Sequence, residues 1–412
     1  MPISFNSVLI IAVVSVLVPV VLGLLPRLPV PGAVLEVIAG IVVGPSVLNW
    51  ARVDAPVEVL GTLGLGMLLF LAGLEIDTER LRSRLARLAG LAFALSAGLA
   101  LAAGFLLRAA GLVNRPVLIA IIVMSTSAGL LLPLLKDAGE ASTGFGQLVM
   151  TAAALAEIVP ILLLSLLFSA TSQTIGGKLV SLVVFLVLLA LIGLAVAQVR
   201  QLPRLDRLLD HLERRSGQLR VRATLTLALG CGVLAYRFGF ASILGAFAAG
   251  LLTRIIEVTG REPNHEFLAK LEGIGFGFLI PVFFISTGVA FQLKGLLTDP
   301  AALARVPLFL AALLLARGLP ALLQATSLTF VIVATAIGVQ TGQLAPATAA
   351  ALIAAGLLSA ALFPAGAARL LARANHQPGH GSADSGGERS GPVGPDRPPP
   401  EPEATGSSPG RP

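Results

Sequence analysis

The sequence predicts an all-α polytopic membrane protein with about 13 transmembrane helices. Three observations predict this fold class: 56% of the 412 residues are hydrophobic, only 12% are charged, and the apolar residues recur in runs long enough to cross a bilayer. Soluble domains usually carry about a quarter of charged residues, because a hydrated surface needs polar groups. The composition therefore excludes a soluble enzyme, and it excludes disorder of the chain as a whole.

The apolar runs define the predicted spans, since a bilayer core takes about 20 residues per helix. Several runs are short or contain Gly and Pro. The predicted spans, numbered in chain order, are Val8–Leu25, Ala33–Leu48, Val57–Ile76, Leu88–Leu107, Pro116–Leu135, Phe145–Phe168, Leu179–Val199, Val221–Tyr236, Ala241–Ile256, Ile274–Phe291, Arg305–Leu323, Ala325–Val339 and Pro346–Leu371.

The charge of the loops predicts the orientation. The formal net charge is +7, and a basic excess in a membrane protein usually marks cytoplasmic loops. If the N-terminus is outside, most Lys and Arg of the predicted loops lie inside, and an odd number of spans puts the C-terminus in the cytoplasm. We expect a multi-pass protein of the cell (plasma) membrane. No basic residue precedes span 1, which argues against a cleaved signal peptide.

Other function classes find little support. No nucleic-acid-binding motif is present, and aromatic residues, at 5%, are too sparse for a base-stacking platform, so we expect no nucleic-acid partner. The single Cys231 allows no intramolecular disulfide. The four histidines, which could serve a metal or act as a base, all fall in predicted loops or the tail: His211, His265, His376 and His380. We therefore expect no enzyme activity and no cofactor.

Two segments lie outside the predicted spans. Arg200–Arg222 alternates Leu and charged residues at helical spacing, which indicates an interfacial amphipathic helix joining two halves of the chain. A lipid-binding regulatory strip is the alternative for this segment. Residues 375–412 are rich in Pro, Gly and Ser and are predicted to be a disordered cytoplasmic tail, so residues 1–374 form the membrane domain.

The two halves resemble each other. Spans 2, 3 and 5 share short patterns with spans 9, 10 and 12, in the same order and at nearly one offset. Corresponding spans are seven positions apart in the order of spans, and spans displaced by an odd number of positions run through the membrane in opposite directions. We therefore predict two inverted repeats, with a binding site between them at the midplane. The matches are Ala39-Gly40 with Ala249-Gly250, Gly64 and Gly66 with Gly275 and Gly277, and Thr126-Ser127 with Thr326-Ser327.

Two carboxylates lie well inside apolar runs, where a charge is costly unless it is paired or hydrated. Glu157 is near the middle of span 6, and we predict that it binds a proton or an alkali cation. The alternative is a protonated Glu157 that hydrogen-bonds between helices. Pro160 is expected to free a backbone carbonyl that can coordinate the cation. Glu36, near the start of span 2, is expected to be a structural partner, a cap or a gate.

The other acidic residues are placed in loops. Glu257, Glu266 and Glu272 follow or precede predicted spans, and we expect all three to be outside the helices. They are therefore not candidates for the site.

Hydroxyl residues cluster at matching places in the two repeats. Ser125, Thr126 and Ser127 lie in span 5, and Thr326 and Ser327 lie in span 12. Hydroxyls can bond back to the helix and allow it to unwind locally. We predict broken helices whose hydroxyls and carbonyls bind the ion; ordinary packing of small polar residues between helices is the alternative.

Arg317 lies deep in the apolar run of span 11. A fixed positive charge there can neutralise helix dipoles or compete with a cation for a carboxylate. Alternatively, Arg317 extends its guanidinium to the inner interface.

These motifs resemble the monovalent cation:proton antiporters of the sodium/hydrogen exchanger superfamily, of the bacterial cation/proton antiporter type. The resemblance spans about residues 5–372. It implies thirteen spans, two inverted repeats, a crossing pair of broken helices and a homodimer, with Glu157 as the ion-binding acid and Arg317 near the family's basic residue. The segments that carry it are LEVIAGIVVGPSVL, LGLGMLLFLAGLEID, STSAGLLLPLLKDAGEASTGFGQLVMTAAALAEI and IPVFFISTGVAF.

The sequence also departs from that family. Ala156-Glu157 stands where the family often has two acids or Asn-Asp, which bears on the stoichiometry. The family has a polar loop between spans 11 and 12, whereas this sequence has none. The two spans either join by a tight turn at Gly318–Pro320 or lie elsewhere than the count of spans places them. The sequence thus predicts exchange of Na⁺ or K⁺ for protons by alternating access. The alternatives are a related-fold sodium-coupled organic-anion symporter and a non-transporting, channel-like membrane sensor.

Overall fold

A computed structural model of the 412-residue chain describes residues 5–24, 30–76, 85–126, 135, 143–168, 174–200, 218–258, 265–317 and 328–375. The regular elements of these ranges are helices, in agreement with the predicted all-α class. They are α1 (Asn6–Leu24), α2 (Gly32–Val43), α3 (Ala55–Glu75), α4 (Leu85–Ala109), α5 (Pro116–Met124), α6 (Gly144–Leu167), α7 (Ile175–Arg200), α8 (Leu219–Arg237), α9 (Ser242–Val258), α10 (His265–Ile274, Gly275–Leu279 and Ile280–Val289), a short helix Leu293–Thr298, α11 (Pro300–Arg317), α12 (Leu328–Gln340) and α13 (Pro346–Asn375).

Eight of the described helices are long and apolar enough to cross a membrane, and three shorter apolar helices accompany them. The chain is therefore a membrane protein. The exact number of thirteen spans stays a prediction, because some of the helices in this count are short.

Local chemistry explains where the helices begin. The Asp54 carboxylate accepts a hydrogen bond from the Val57 amide at 3.2 Å and caps α3. The Thr143 hydroxyl accepts one from the Gly146 amide at 3.1 Å and caps α6. Pro116 starts α5 and Pro346 starts α13, where the missing amide costs no hydrogen bond.

Burial separates interior helices from peripheral ones. More than half of the apolar window of α6 and of α13, and half of that of α3, is buried inside the protein. Less than a quarter of the windows of α1, α4, α7 and α8 is buried inside the protein, as expected for helices that face lipid. Because α6 is an interior helix, its side chains line the protein core.

Two helix crossings are built in the same way. In the first, Gly40 of α2 lies against the Ile285 carbonyl of α10, and Gly288 of α10 lies against the Val37 carbonyl of α2. Each glycine thus faces the carbonyl three residues before the glycine of the other helix.

The second crossing joins α3 and α9 and repeats this geometry. Gly250 of α9 lies against the Phe70 carbonyl of α3, and Gly73 of α3 lies against the Phe247 carbonyl of α9. Small residues let helix backbones approach this closely in membranes. The α2/α10 and α3/α9 crossings are therefore geometrically equivalent.

Helix α10 changes its winding in the middle. Gly275–Leu279 is a π-helical stretch, and the Ile280 amide donates to the Gly275 carbonyl five residues earlier. Pro281 follows directly and cannot donate to the carbonyl four residues before it. The wide turn accommodates this missing bond.

The prediction that Glu257, Glu266 and Glu272 lie in loops is wrong. Glu257 is in the last turn of α9, and the other two are in α10, which begins at His265 and not at the predicted Ile274. Glu257 is tolerated there because the Arg220 guanidinium lies 3.1 Å from its carboxylate. The Glu266 carboxylate likewise lies 2.7 Å from the Lys270 ammonium, one turn on.

The connecting segments are described only at their edges. α7 runs to Arg200 and α8 starts at Leu219, so Arg220 and Arg222 belong to α8 and not to the predicted amphipathic helix. The rest of that segment lies outside the described residues, as do the join between α11 and α12 and residues 376–412 of the predicted tail.

Candidate functional site

Helix α6 places Glu157 near its middle, far from both ends of the helix. Its side chain is 9% exposed, so it lies in the protein interior and not on the lipid face. Ala153, Ala156, Pro160 and Ile161 of the same helix are buried as well. A carboxyl group at this depth is the placement that the sequence predicts for Glu157.

Helix α5 ends early. The helix stops at Met124, inside the predicted span Pro116–Leu135 and next to the hydroxyl residues where a break is predicted, and Ser125 has an extended backbone with φ −76° and ψ 150°. Ser125 and Thr126 are nonetheless buried, at 0% and 2% exposure. An unwound segment thus lies inside the protein, where its backbone groups need partners.

Two donors satisfy one carbonyl at this break. The Ser125 hydroxyl donates to the Ile122 carbonyl at 2.7 Å, and the Ser125 amide donates to the same oxygen at 3.3 Å. This is the local back-bonding that hydroxyl residues offer as an alternative to helix. The Ser125 oxygen keeps its lone pairs for an acceptor or ligand role.

The break is tied to α6 at the residue before Glu157. The Thr126 amide donates to the Ala156 carbonyl at 3.0 Å. Ala156 is the residue whose carbonyl Pro160, lacking an amide, leaves without its usual helical donor. The sequence predicts that this freed carbonyl coordinates a cation, whereas in the structure it accepts the Thr126 amide.

The remaining predicted site residues are less completely placed. Ser127, Thr326 and Ser327 lie outside the described residues. Arg317 is the last residue of α11, and only its backbone is described. Glu36 is half-buried on α2, which packs on α1 and α10, and its supporting role stays a prediction. Helix α12 packs against α5, as expected for the second broken helix.

This arrangement can bind a small hard cation or a proton. A carboxylate, hydroxyl oxygens and backbone carbonyls of an unwound segment are hard oxygen donors. Among the described residues, no group of three or more His, Cys, Asp or Glu side chains could hold a metal ion. The Thr126–Ala156 bond is not predicted from the sequence, although Pro160, four residues after Ala156, indicates a carbonyl without its helical donor.

Three comparisons relate the chain to known proteins. The family model described as "Sodium/hydrogen exchanger, transmembrane" matches residues 10–371. The "Putative Na(+)/H(+) antiporter YjbQ" of Bacillus subtilis is 28% identical over 334 residues, which is 77% of this chain and 52% of that protein. The match thus spans about half the length of this relative.

A shorter relative and a solved structure are also sodium/proton antiporters by name. The "Na(+)/H(+)-K(+) antiporter GerN" of Bacillus cereus is 28% identical over 277 residues, or 66% of this chain and 68% of that protein. The sodium proton antiporter MjNhaP1 from Methanocaldococcus jannaschii has a similar fold, with a TM-score of 0.62, 16% identity and coverage of 89% of this chain and 98% of that one. With the family model matching most of its length, this chain belongs to the sodium/hydrogen exchanger family.

Proposed function

We propose that this protein exchanges a monovalent cation, Na⁺ or K⁺, for protons across the cell membrane by alternating access. Glu157 binds the proton and the cation in turn, so competition for one carboxylate couples the two fluxes. The other ligands of the cation are oxygens at the two helix breaks, from Ser125, Thr126, Ser127, Thr326 and Ser327.

One observation carries the proposal: Glu157, in the middle of an interior helix, directly follows the residue whose carbonyl binds the unwound end of a second helix. Glu157 is 9% exposed, and its neighbour Ala156 accepts the Thr126 amide at 3.0 Å. Buried intramembrane acids beside broken helices are typical of ion-coupled transporters. The printed names of the relatives, which describe sodium and proton antiporters, support the same assignment.

The two glycine crossings support the predicted inverted repeat, an architecture that many alternating-access transporters share. Gly40 and Val37 of α2 are matched by Gly250 and Phe247 of α9, each 210 residues later. Exchanging α2 for α9 and α10 for α3 turns one crossing into the other. Helices separated by an odd number of membrane spans run through the membrane in opposite directions, which is the relation between inverted repeats.

The orientation is proposed from one end of the bundle. Arg220 at the start of α8, Glu257 at the end of α9 and Phe267 at the start of α10 meet, so these three helix ends share one side of the membrane. This side is rich in basic residues, and we propose that it is cytoplasmic, with the N-terminus outside and the C-terminal tail inside. A homodimer is carried over from the family resemblance.

Reconstitution into liposomes containing a pH-sensitive dye tests the proposal. An inward-directed Na⁺ or K⁺ gradient should drive proton efflux with the wild-type protein. Glu157→Gln should abolish this flux, because the amide cannot release a proton. Glu58→Gln, a matched change of an exposed acid on α3, should leave it intact. Glu36→Gln measures the supporting role of the second intramembrane acid.

Undiminished exchange in Glu157→Gln would refute the site assignment. The rival functions give other results in the same liposomes. Sodium uptake that requires an organic anion and moves no protons would indicate a symporter. Binding of a cation without any flux would indicate a non-transporting sensor.

A further inference from the structure

Pro160 leaves the Ala156 carbonyl without its helical donor, the end of α5 at Met124 leaves the Thr126 amide without its helical acceptor, and the structure pairs these two groups. In an uninterrupted α6, the amide of residue 160 would donate to the Ala156 carbonyl, but proline has no amide hydrogen. In an uninterrupted α5, the Thr126 amide would donate to the Ile122 carbonyl. That oxygen is already taken by the amide and the hydroxyl of Ser125.

One interhelical bond satisfies both groups. The Thr126 amide reaches the Ala156 carbonyl at 3.0 Å, with Thr126 2% and Ala156 5% exposed. A buried amide and a buried carbonyl are each costly to leave without a partner. The bond is therefore a strong constraint on where the unwound end of α5 lies.

From this pairing we infer that Pro160 is a positioning residue for ion binding. By withholding an amide from the Ala156 carbonyl, it reserves that acceptor for Thr126 and fixes the broken end of α5 beside Glu157. The inference rests on the proposed role of Glu157 in transport. It gives Pro160 a role other than coordination of the cation by the freed carbonyl.

The other prolines inside helices show what is specific to Pro160. Among the other helix prolines, Pro19 of α1 and Pro307 of α11 are exposed, and Pro281 of α10 is buried but follows the π-helical stretch of its own helix. Pro160 is buried and stands one turn after the carbonyl that α5 uses. Pro19→Ala is therefore a matched control, since it restores an amide to a membrane helix far from the break.

The test is Pro160→Ala in the full chain, reconstituted as for the wild type. The new amide shares the Ala156 carbonyl with Thr126, so the bond that anchors the broken end of α5 is weakened. We expect the KM for the cation to rise about tenfold, a change equivalent to about 1.4 kcal/mol, with a smaller change in the maximal rate. We also expect faster amide hydrogen exchange in the peptide that contains Thr126, which is on a different helix from the substitution.

Pro160→Val is measured in parallel, because it supplies the same amide with a bulkier side chain. If both variants raise the KM and speed exchange at Thr126, and Pro19→Ala does neither, the inference is supported. If both variants keep the wild-type KM and exchange rate at Thr126, it is overturned. A rise in KM that is equal in Pro19→Ala also overturns it, since that effect would not depend on the break.

The two proposals fail in different ways. A wild-type protein that exchanges no cation for protons would sink the proposed function. The hydrogen-exchange comparison needs no transport, and it would still decide whether Pro160 reserves the Ala156 carbonyl for Thr126.

Discussion

Gly40 of α2 and Gly288 of α10 lie face to face where their helices cross. A Cβ atom built on Gly40 would lie 3.0 Å from the Gly288 Cα, and one built on Gly288 would lie 2.9 Å from the Gly40 Cα. The obstructing atoms are backbone, which cannot move aside as a flexible side chain can. This crossing therefore has room for glycine only.

Gly40→Ala is expected to destabilise the protein by about 1–3 kcal/mol, because overpacking forces the two helices apart. Gly66→Ala is the control on α3, where a Cβ would meet nothing within 4 Å. Alanine favours helix over glycine, so Gly66→Ala should be neutral or slightly stabilising. Thermal unfolding in detergent measures both, and equal unfolding temperatures for the two variants would contradict the steric argument.

Arg220 and Glu257 form a partly buried ion pair, with the guanidinium 3.1 and 3.2 Å from the two carboxylate oxygens. Glu257 is 8% exposed, so Arg220→Met should cost about 3 kcal/mol by leaving a buried carboxylate without this partner. Replacing both residues by Met should restore much of the stability, because no buried charge is left.

A double-mutant cycle on unfolding free energies measures this coupling, for which we expect about 1–3 kcal/mol. The Arg220 guanidinium also lies 5.2 Å from the centre of the Phe267 ring, and that contact is lost in both variants that lack Arg220, so it cancels in the coupling energy. Additive effects of the two substitutions would show that the pair is not coupled.

Ser165 of α6 carries a buried hydroxyl that finds no hydrogen-bond partner among the described residues. Removing it should remove a desolvation cost, so Ser165→Ala is expected to be neutral or to stabilise by up to about 1 kcal/mol. Thr335→Val is the comparison, because the Thr335 hydroxyl bonds to the Val331 carbonyl at 2.7 Å. That variant should lose about 1 kcal/mol. A loss of stability in Ser165→Ala as large as in Thr335→Val would contradict the prediction.

Ser125→Ala removes both the hydroxyl that bonds to Ile122 and a proposed oxygen ligand. We expect the KM for the cation in liposomes to rise roughly five- to tenfold, the effect of about 1 kcal/mol. Ser286→Ala is a matched control, since Ser286 bonds back to the Phe283 carbonyl at 2.9 Å and packs on Gly61 instead of on the site. If the two variants raise the KM equally, Ser125 is not a ligand.

Much of the fold was predictable because it follows from solvation. A chain with 56% hydrophobic residues must place its apolar runs in lipid as helices, and most predicted spans coincide with observed helices. Glu157 was predictable for the same reason, since an acid in the middle of an apolar run is costly unless it functions. The prediction is wrong where a partner that is distant in sequence lowers the cost of burying a charged residue. Glu257 was placed in a loop because its partner, Arg220, is 37 residues away.

By itself, then, the sequence determined which segments enter the membrane and which acid stands in the middle of one of them, because transfer from water to lipid depends mainly on residue type. Only the tertiary structure decided where α5 stops and which group receives the carbonyl that Pro160 leaves free. Hydrogen bonds depend on distance and direction, and the 3.0 Å contact between Thr126 and Ala156 exists only because α5 and α6 pack together.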